Sequence, residues 1–459
     1  MATLGHLQAK RINFALFRFF CFAFNRIISF IAFCALIRAS NKRSLRVVLK
    51  MSSEVQTMSG YESEVAQLND RPIEEQRKQG YGDTLREILQ QPKTWLATAE
   101  QMLANSASLL HFIEGMQVVV LTGSGSSEYA GECIRLVLQE ELVVAAQTLG
   151  GGVLLTDGSR AIAPGDGRLM ISLARSGDSP ESAGALALVL QSEPDIKHLI
   201  ITCNQEGRLS ESYKTDPRVK IVVLDGKTND RSLVMTSSFT NMVLATRALG
   251  LLREPAKYRQ LSGRLHDAGE LLLHTQVNAI AKVARGTFER VLFLGTGPRV
   301  GAAREAALKM LEMTAGRVMA TCETYLGLRH GPMSAVHSDT LVVCFLSSSS
   351  PRREYECDVI RELQRKQLGS SIVIFGAAIP QDLVSAGDLA IECEALATIG
   401  DDNAPILDVL VGQLLGFFRC LKEGLTPDSP SESGVINRVV EEFALHLNIP
   451  DSTPAGDTR

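Results

Sequence analysis

The sequence predicts an α/β protein that contains two similar units, each with a parallel sheet flanked by helices. Three observations support this prediction: short apolar runs alternate with longer helical stretches, the series of runs occurs twice, and the first run of each series ends in a Gly-x-Gly turn. Alternating strands and helices are expected where helices cross between parallel strands. The 459 residues, 45% of them hydrophobic, are enough for two or three domains with a buried core.

The repeat is found by aligning the chain with itself. The apolar run that ends at Gly123 recurs in the run that ends at Gly295, 172 positions later. The same offset matches two further pairs of runs, 169–172 with 341–344 and 198–201 with 370–373. Three matched strand candidates predict two homologous units, which we place at residues 106–275 and 276–425.

The segments outside these units differ in character. Residues 51–105 are predicted to form a helical arm, and residues 426–459 a C-terminal tail. Residues 1–50 hold nine Lys and Arg and no acid, and their longest uncharged run, 27–37, is shorter than the ~20 residues of a membrane span. We interpret this basic apolar leader as sequence upstream of a true start at Met51 or as a targeting segment, with a membrane-surface helix as the third interpretation.

Charge and cysteine content argue against several classes of function. Residues 51–459 contain 38 Lys and Arg and 51 Asp and Glu, so this part of the chain is acidic. Because nucleic acid binding relies on clustered basic residues, no nucleic acid partner is expected. The nine cysteines include no C-x-x-C pair, which is typical of reduced thiols in a cytoplasmic protein. No His, Cys and acidic cluster has the spacing of a metal site, so we predict neither a metal nor a cofactor.

Two hydroxyl-rich loops of the first unit predict an anion-binding site. One is the Gly-Ser-Gly-Ser-Ser turn at 123–127, and the other is Ala-Arg-Ser-Gly-Asp-Ser-Pro-Glu-Ser at 174–182, where Pro180 suits the first turn of a helix. Each loop follows a strand candidate, and α/β sheets bind ligands at the carboxyl ends of their strands. Backbone N–H groups, serine hydroxyls and Arg175 would hold one phosphate monoester. The matching loop 347–351 lacks both Gly and Arg, so the pocket is placed in the first unit.

A helix with acidic residues is predicted over 300–312. Glu305 and Glu312 are seven positions apart and share a face with Lys309 between them. By composition alone these three residues are most simply a solvated stripe. By residue type alone, a lone histidine such as His330 is likewise more often structural than catalytic.

The two loops resemble the sugar isomerase (SIS) domain. The chain is similar to the tagatose-6-phosphate ketose/aldose isomerase family, which includes galactosamine-6-phosphate deaminases, over nearly all of residues 80–440. Further matching motifs are Asn-Asp-Arg-Ser-Leu at 229–233, Arg-His-Gly-Pro at 329–332 and Gly-Leu-Thr-Pro-Asp at 424–428. The resemblance implies two tandem SIS domains with flavodoxin-like, three-layer parallel sheets, as in the isomerase half of glucosamine-6-phosphate synthase.

The resemblance also implies roles for individual residues. Glu312 matches the catalytic base, His330 the ring-opening imidazole, and Glu323 a glutamate that binds substrate or acts as a second acid or base. In glucosamine-6-phosphate synthase the histidine comes from the neighbouring subunit, so a homodimer or larger homo-oligomer is expected. The predicted substrate- and phosphate-binding residues are Gly125, Ser126, Ser127, Arg175, Ser176, Ser179, Asn229 and Arg231, with Arg438 as a further candidate for sugar hydroxyls.

The reaction implied by the resemblance converts galactosamine-6-phosphate, or a close amino-sugar phosphate, to tagatose-6-phosphate and ammonia through an enolamine. A plain ketose/aldose isomerase without deamination is one alternative, and a non-catalytic SIS regulator that only binds a phosphosugar is another. The stretch 51–105 is rather acidic and lacks the basic recognition helix of a DNA-binding regulator. Together with Glu312 and His330, this favours an enzyme, which is expected in the cytoplasm and away from membranes.

Overall fold

The computed structural model describes residues 63–446. The leader 1–50, the first part of the predicted arm and the end of the predicted tail lie outside the described residues. Five helices follow: α1 Glu64–Asn69, α2 Ile73–Gln79, α3 Gly82–Leu89, α4 Gln91–Ala104 and α5 Ser106–Ile113. They bury Tyr81, Leu85 and Trp95, so the described part of the predicted arm packs into the hydrophobic core.

The start of α3 is held by a residue from the far end of the chain. Asp83 lies inside the first turn, and the N-terminal flanking residue Tyr81 provides no side-chain cap. The Asp428 carboxylate instead accepts the backbone N–H groups of Thr84 at 2.7 Å and Asp83 at 3.3 Å. The start of the predicted C-terminal tail therefore caps a helix that precedes the first unit.

The first sheet has five parallel strands in the order β2-β1-β3-β4-β5. The strands are β1 Val118–Gly123, β2 Ala145–Gly150, β3 Arg168–Ala174, β4 Lys197–Thr202 and β5 Val219–Val223. The helices that flank it are α6 Ser126–Leu142, α7 Gly151–Asp157, α8 Pro180–Ser192, α9 Arg208–Glu211 and α10 Ser237–Ala248. β1 and β3 are buried almost throughout, as expected for parallel strands covered on both faces.

Two helices, α11 Pro255–Thr275 and α12 Val277–Ala284, lead to a second parallel sheet of order β10-β9-β8-β6-β7. Its strands are β6 Arg290–Gly295, β7 Met319–Thr324, β8 Thr340–Phe345, β9 Ser371–Gly376 and β10 Leu389–Glu392. Its helices are α13 Arg299–Met313, α14 Tyr325–Leu328, α15 Arg352–Arg365, α16 Leu396–Ile399 and α17 Pro405–Lys422. Short 3-10 helices lie at Gly158–Ala161, Gly226–Thr228, Leu249–Leu251, Pro332–Ala335 and Gln381–Leu383. Counted within each unit, both sheets have the strand order 2-1-3-4-5, the flavodoxin-like order.

The pairing registers refine the predicted repeat. The 172-residue offset relates β1 to β6 and β3 to β8, but Leu169 pairs with Lys197 in the first sheet whereas Leu341 pairs with Ser371 in the second. The offset between β4 and β9 is therefore 174, and the alignment of His198 with Ser370 is wrong by two residues. A shift of two residues equals one strand period, so every side chain keeps its face and the apolar pattern looks the same in either register.

Two helices, α10 and α17, lie in the interior of the protein. Every residue of α10 is buried, and α17 is buried from Pro405 to Cys420. α13 packs against α6 and α17 as well as β6 and β7. Helices buried on all sides are typical of the core of a large domain. Within residues 63–446, none of the helices has the length and hydropathy needed to cross a membrane.

Candidate active site

A cavity of about 570 Å³ opens at the carboxyl ends of β1 and β3, which are adjacent in the sheet. After β1 the chain continues to β2 on one side, and after β3 it continues to β4 on the other. This is the edge at which doubly wound sheets bind ligands. The loops after β1 and β3, the side chain of Glu312 and residues 435–441 line it. Six predicted phosphate-site residues lie in its wall: Gly125, Ser126, Ser127, Arg175, Ser176 and Ser179. The predicted tail thus supplies one wall of the cavity.

Two helix starts meet at this cavity. Gly125, with φ of 57°, makes the left-handed turn into α6, a conformation that favours glycine. α8 starts at Pro180, as predicted, and no side chain caps either helix among the described residues. The Ser179 hydroxyl donates to Ser182 Oγ at 2.8 Å and so stays at the cavity wall. Uncapped backbone N–H groups and serine hydroxyls together form a site for an anion.

Arg175 adds a positive charge to this wall. Its guanidinium donates to the carbonyl oxygens of Ser232 at 3.2 Å, Leu233 at 2.9 Å and Arg438. Burial, followed by the nearby Arg438, lowers the pKa of Arg175. Within residues 63–446 no carboxylate forms an ion pair with Arg175. A bound phosphate would therefore provide the missing counter-charge.

The acidic face of α13 is buried, so the expectation of a solvated stripe is wrong for Glu305 and Lys309, which are fully buried. Lys309 Nζ lies 3.3 Å from Glu305 Oε1 and 3.1 Å from Ser126 Oγ, and it contacts Glu312 Oε2. Glu312, whose side chain is 22% exposed, is the member of this trio that lines the cavity. The interior position of α13 turns a sequence pattern typical of a surface into an internal charge cluster.

The charges of this trio depend on one another. Burial raises the pKa of Glu305 to about 7, with Lys309 opposing and Glu312 adding to that rise. The two carboxylates raise the pKa of Lys309 against the effect of burial. The ammonium thus limits the rise in the pKa of Glu305, and its contact with Glu312 Oε2 fixes the orientation of that side chain. Lys309 is thus a site residue that sequence reasoning missed, and its spacing of four and three from two acids was the available signal.

His330 and Glu323 lie away from this cavity in the single chain. His330 is exposed after α14, and Glu323 is the last but one residue of β7, where its Oε1 accepts the Thr324 N–H at 2.7 Å. Asn229 and Arg231 also lie outside the lining; Asn229 accepts from Arg438, and the Arg231 N–H donates to Glu87. The chain thus brings together six predicted phosphate-site residues and Glu312, and it leaves the other four apart; the roles of all of them stay predictions.

The matching loop of the second unit is filled by the protein's own carboxylates. Ser347 donates its N–H and hydroxyl to Glu356 at 2.6 and 2.7 Å. Ser348 N–H and Ser349 hydroxyl donate to Asp401 at 2.7 and 2.5 Å. These donors are occupied where those of the first unit face a cavity, in keeping with the placement of the pocket in the first unit. None of the residues 63–446 form a group of three His, Cys, Asp or Glu arranged to hold a metal ion.

Replacing Arg175 by Lys is expected to raise KM for a phosphosugar about 10- to 100-fold, because one ammonium cannot contact the carbonyls and the phosphate together. The value of kcat should change much less, since the phosphate is remote from the reacting carbons. Steady-state kinetics measure both. Arg160→Lys, at an exposed position of the same unit, is the control. An unchanged KM would remove Arg175 from the phosphate site.

The two parallel sheets, with a hydroxyl-lined anion cavity in the first, define a phosphosugar isomerase of the double SIS type. The structure of tagatose-6-phosphate ketose/aldose isomerase from Escherichia coli matches with a TM-score of 0.70 and 30% identity, over 76% of this chain and 95% of that one. The C-terminal domain of glucosamine-fructose-6-phosphate aminotransferase from Francisella tularensis, 19% identical with a TM-score of 0.65 over 76% of this chain and 98% of that one, shares the fold. No protein-family model matches the chain.

The chain belongs to the AgaS family of D-galactosamine-6-phosphate deaminases. An AgaS protein of Streptomyces coelicolor is 36% identical over 374 residues, which are 79% of this chain and 95% of that protein. The D-galactosamine-6-phosphate deaminase AgaS of Escherichia coli O157:H7 is 32% identical over 373 residues, with the same coverage of both chains. The family predicted from the sequence is confirmed.

Proposed function

We propose that the protein converts galactosamine-6-phosphate to tagatose-6-phosphate and ammonia. The observation that carries the proposal is the Glu312 carboxylate in the wall of a cavity whose other wall is an anion cradle. A phosphate held by the serine loops and Arg175 would fix one end of an open-chain sugar and leave its reacting end toward Glu312. Such positioning supplies a large part of enzymatic rate enhancement.

The proposed chemistry is proton transfer followed by hydrolysis. Glu312 removes the C2 proton of the open-chain amino aldose, the electron pair forms a C1–C2 double bond, and the C1 oxygen takes a proton to give an enolamine. Return of the proton to C1 leaves a protonated imine at C2. Water adds at C2 and ammonia leaves, so one amino sugar phosphate and one water give one ketose phosphate and one ammonia.

Lys309 supports this role by holding the Glu312 carboxylate in position. The ammonium contacts Glu312 Oε2 and is fully buried, where a charge interaction is stronger than in water. The ion pair therefore fixes the position of the proposed base in the resting enzyme.

Three substrates test the proposal: galactosamine-6-phosphate, galactose-6-phosphate and unphosphorylated galactosamine. We expect ammonia and a ketose phosphate from the first and much weaker turnover of the third, which lacks the phosphate. Ketose formed from galactose-6-phosphate, with no ammonia from galactosamine-6-phosphate, would favour a plain isomerase. Phosphosugar binding without any turnover would overturn the enzyme and favour a regulator.

We further propose that a second copy of the chain completes the site with His330. His330 is exposed and outside the cavity of its own chain, on the segment that the family resemblance assigns to ring opening. A homodimer would bring this imidazole to the Glu312 of the other copy. We also place the enzyme in the cytoplasm, since all seven cysteines of the described residues are free thiols.

Hybrid dimers test the shared site. Glu312→Gln and His330→Ala chains are each expected to be inactive, but mixing them should restore about a quarter of the wild-type activity, because half of the dimers are hybrids and each has one intact site. Denaturation and refolding of a one-to-one mixture, followed by the ammonia assay, measures this. No recovery in dimers shown to be hybrid would place both residues in one chain's site.

A further inference from the structure

Glu87 is a buried carboxyl that the proposed mechanism does not use. It lies on α3 and is 2% exposed. Its Oε1 accepts the backbone N–H groups of Arg231 at 2.6 Å and Ser232 at 3.3 Å, and its Oε2 accepts the Ser232 hydroxyl. A single side chain from outside the first unit thus fixes the middle of the loop 229–233.

This loop holds both arginines of the cavity wall. The carbonyl oxygens of Ser232 and Leu233 accept from the Arg175 guanidinium. Arg438 donates through Nε to the Asp230 carbonyl at 2.8 Å and through Nη2 to Asn229 Oδ1 at 2.7 Å. The two guanidinium groups therefore take their positions from the same five residues.

Other contacts fix the remaining parts of the loop. The Asp230 carboxylate accepts the N–H groups of Thr236 and Ser238, each at 2.8 Å, at the start of α10. Leu233 N–H donates to the Asp428 carbonyl at 3.0 Å. Between these points, the peptides of Arg231 and Ser232 are held by Glu87. Removing its carboxyl would leave these donors unsatisfied and free the peptide units to rotate.

We propose that Glu87 is a positioning residue for phosphate: by fixing the loop 229–233 it sets the guanidinium groups of Arg175 and Arg438 in the cavity wall. The inference rests on the proposed function in taking a phosphate as the ligand. Glu87 does not touch the cavity and acts through the loop alone. Burial, with a further effect from Asp230, raises the pKa of Glu87 to about 8, so neutral Gln is a close mimic of the form present at pH 7.

The test measures binding of inorganic phosphate to the full chain by calorimetry, together with KM and kcat for galactosamine-6-phosphate. Glu87→Ala is expected to weaken phosphate binding and raise KM about tenfold, with kcat nearly unchanged. Glu87→Gln should keep both values within about twofold of wild type, because its amide retains an acceptor for the loop N–H groups. If Glu87→Ala does not fold, Glu87→Asp shortens the reach by one methylene and is expected to weaken binding in the same sense.

Thr98→Val controls for a general loss of stability. Its hydroxyl donates to Asn241 Oδ1 at 2.7 Å in the interior, away from the loop, so this variant should lower the melting temperature and leave phosphate binding unchanged. Unchanged phosphate affinity in Glu87→Ala and Glu87→Asp, or an equal loss in Glu87→Gln, would overturn the proposal. Phosphate binding is read without turnover, so absence of ammonia from the wild type would refute the proposed reaction and leave this inference standing.

Discussion

Glu312→Gln is expected to lower ammonia and ketose formation about a thousandfold, the size of effect typical for loss of a general base. The amide has nearly the shape of the carboxylate but cannot accept the C2 proton. In the proposed site other residues hold the phosphate, so substrate affinity should change little. Initial rates and equilibrium binding of galactosamine-6-phosphate measure the two quantities separately.

Glu354→Gln is the matched control, since Glu354 is exposed on α15 and should be replaceable without effect. A Glu312→Gln enzyme that keeps a tenth or more of the wild-type rate would show that another group removes the proton. Glu323 would then be the next residue to replace, since the family resemblance offers it as a second acid or base.

Lys309→Met is expected to destabilise the protein by about 3–5 kcal/mol, the range for breaking a buried ion pair by removing one partner. Met fills a similar volume, so packing changes little, but two carboxyls lose their shared counter-charge. The free energy of unfolding in urea measures the loss. Lys257→Met, at an exposed ion pair with Glu254, is the control and should change stability by less than about 1 kcal/mol.

The loss in Lys309→Met should grow as the pH rises. Glu305 has its pKa raised in the folded protein from 4.5 to about 7, so folding favours its protonated form and stability falls as pH rises through this window. Without Lys309 the ionised carboxylates repel each other unopposed, so the defect should be larger at pH 8 than at pH 6. Adding Glu305→Gln should return part of the stability. A pH-independent defect would contradict the buried charge cluster.

The central strands could be predicted from the sequence, whereas the strands at the sheet edges could not. β1, β3 and β4 are continuous apolar runs because helices cover both of their faces. β2 and β7 are mostly half exposed, with sequences such as Ala-Ala-Gln-Thr-Leu-Gly that give no apolar run. A continuous apolar run in the sequence marks a strand that is covered on both faces. This signal therefore identifies the central strands and misses half-exposed edge strands such as β2 and β7.

The serine loops were predictable because short hydroxyl side chains and glycine at the ends of strands have a direct physical meaning. α13 was misread because charged residues at helical spacing suggest a solvated face. Small residues on the same helix were the overlooked signal: a Cβ on Gly412 of α17 would lie 2.5 Å from the Ala306 Cβ. Such close approach places the charges of α13 inside the protein.

Contacts across long stretches of chain lay beyond sequence reasoning altogether. Asp428 caps α3 and Asp401 fills the second loop, at separations of 344 and 53 residues. Arg438, from the predicted tail, meets the loop 229–233. No local periodicity carries such information, and the family motif at 424–428 includes Asp428 without giving its partner.

The most direct test of the central claim is the stoichiometry of the products from galactosamine-6-phosphate labelled with ¹⁵N at the amino group. NMR follows labelled ammonium and the ketose phosphate in one sample of wild-type protein, with Glu312→Gln alongside. We expect equal amounts of ammonium and tagatose-6-phosphate from the wild type and neither from the variant. Labelled nitrogen that stays on the sugar phosphate with no ketose formed, in a protein that binds the phosphosugar, would contradict the account.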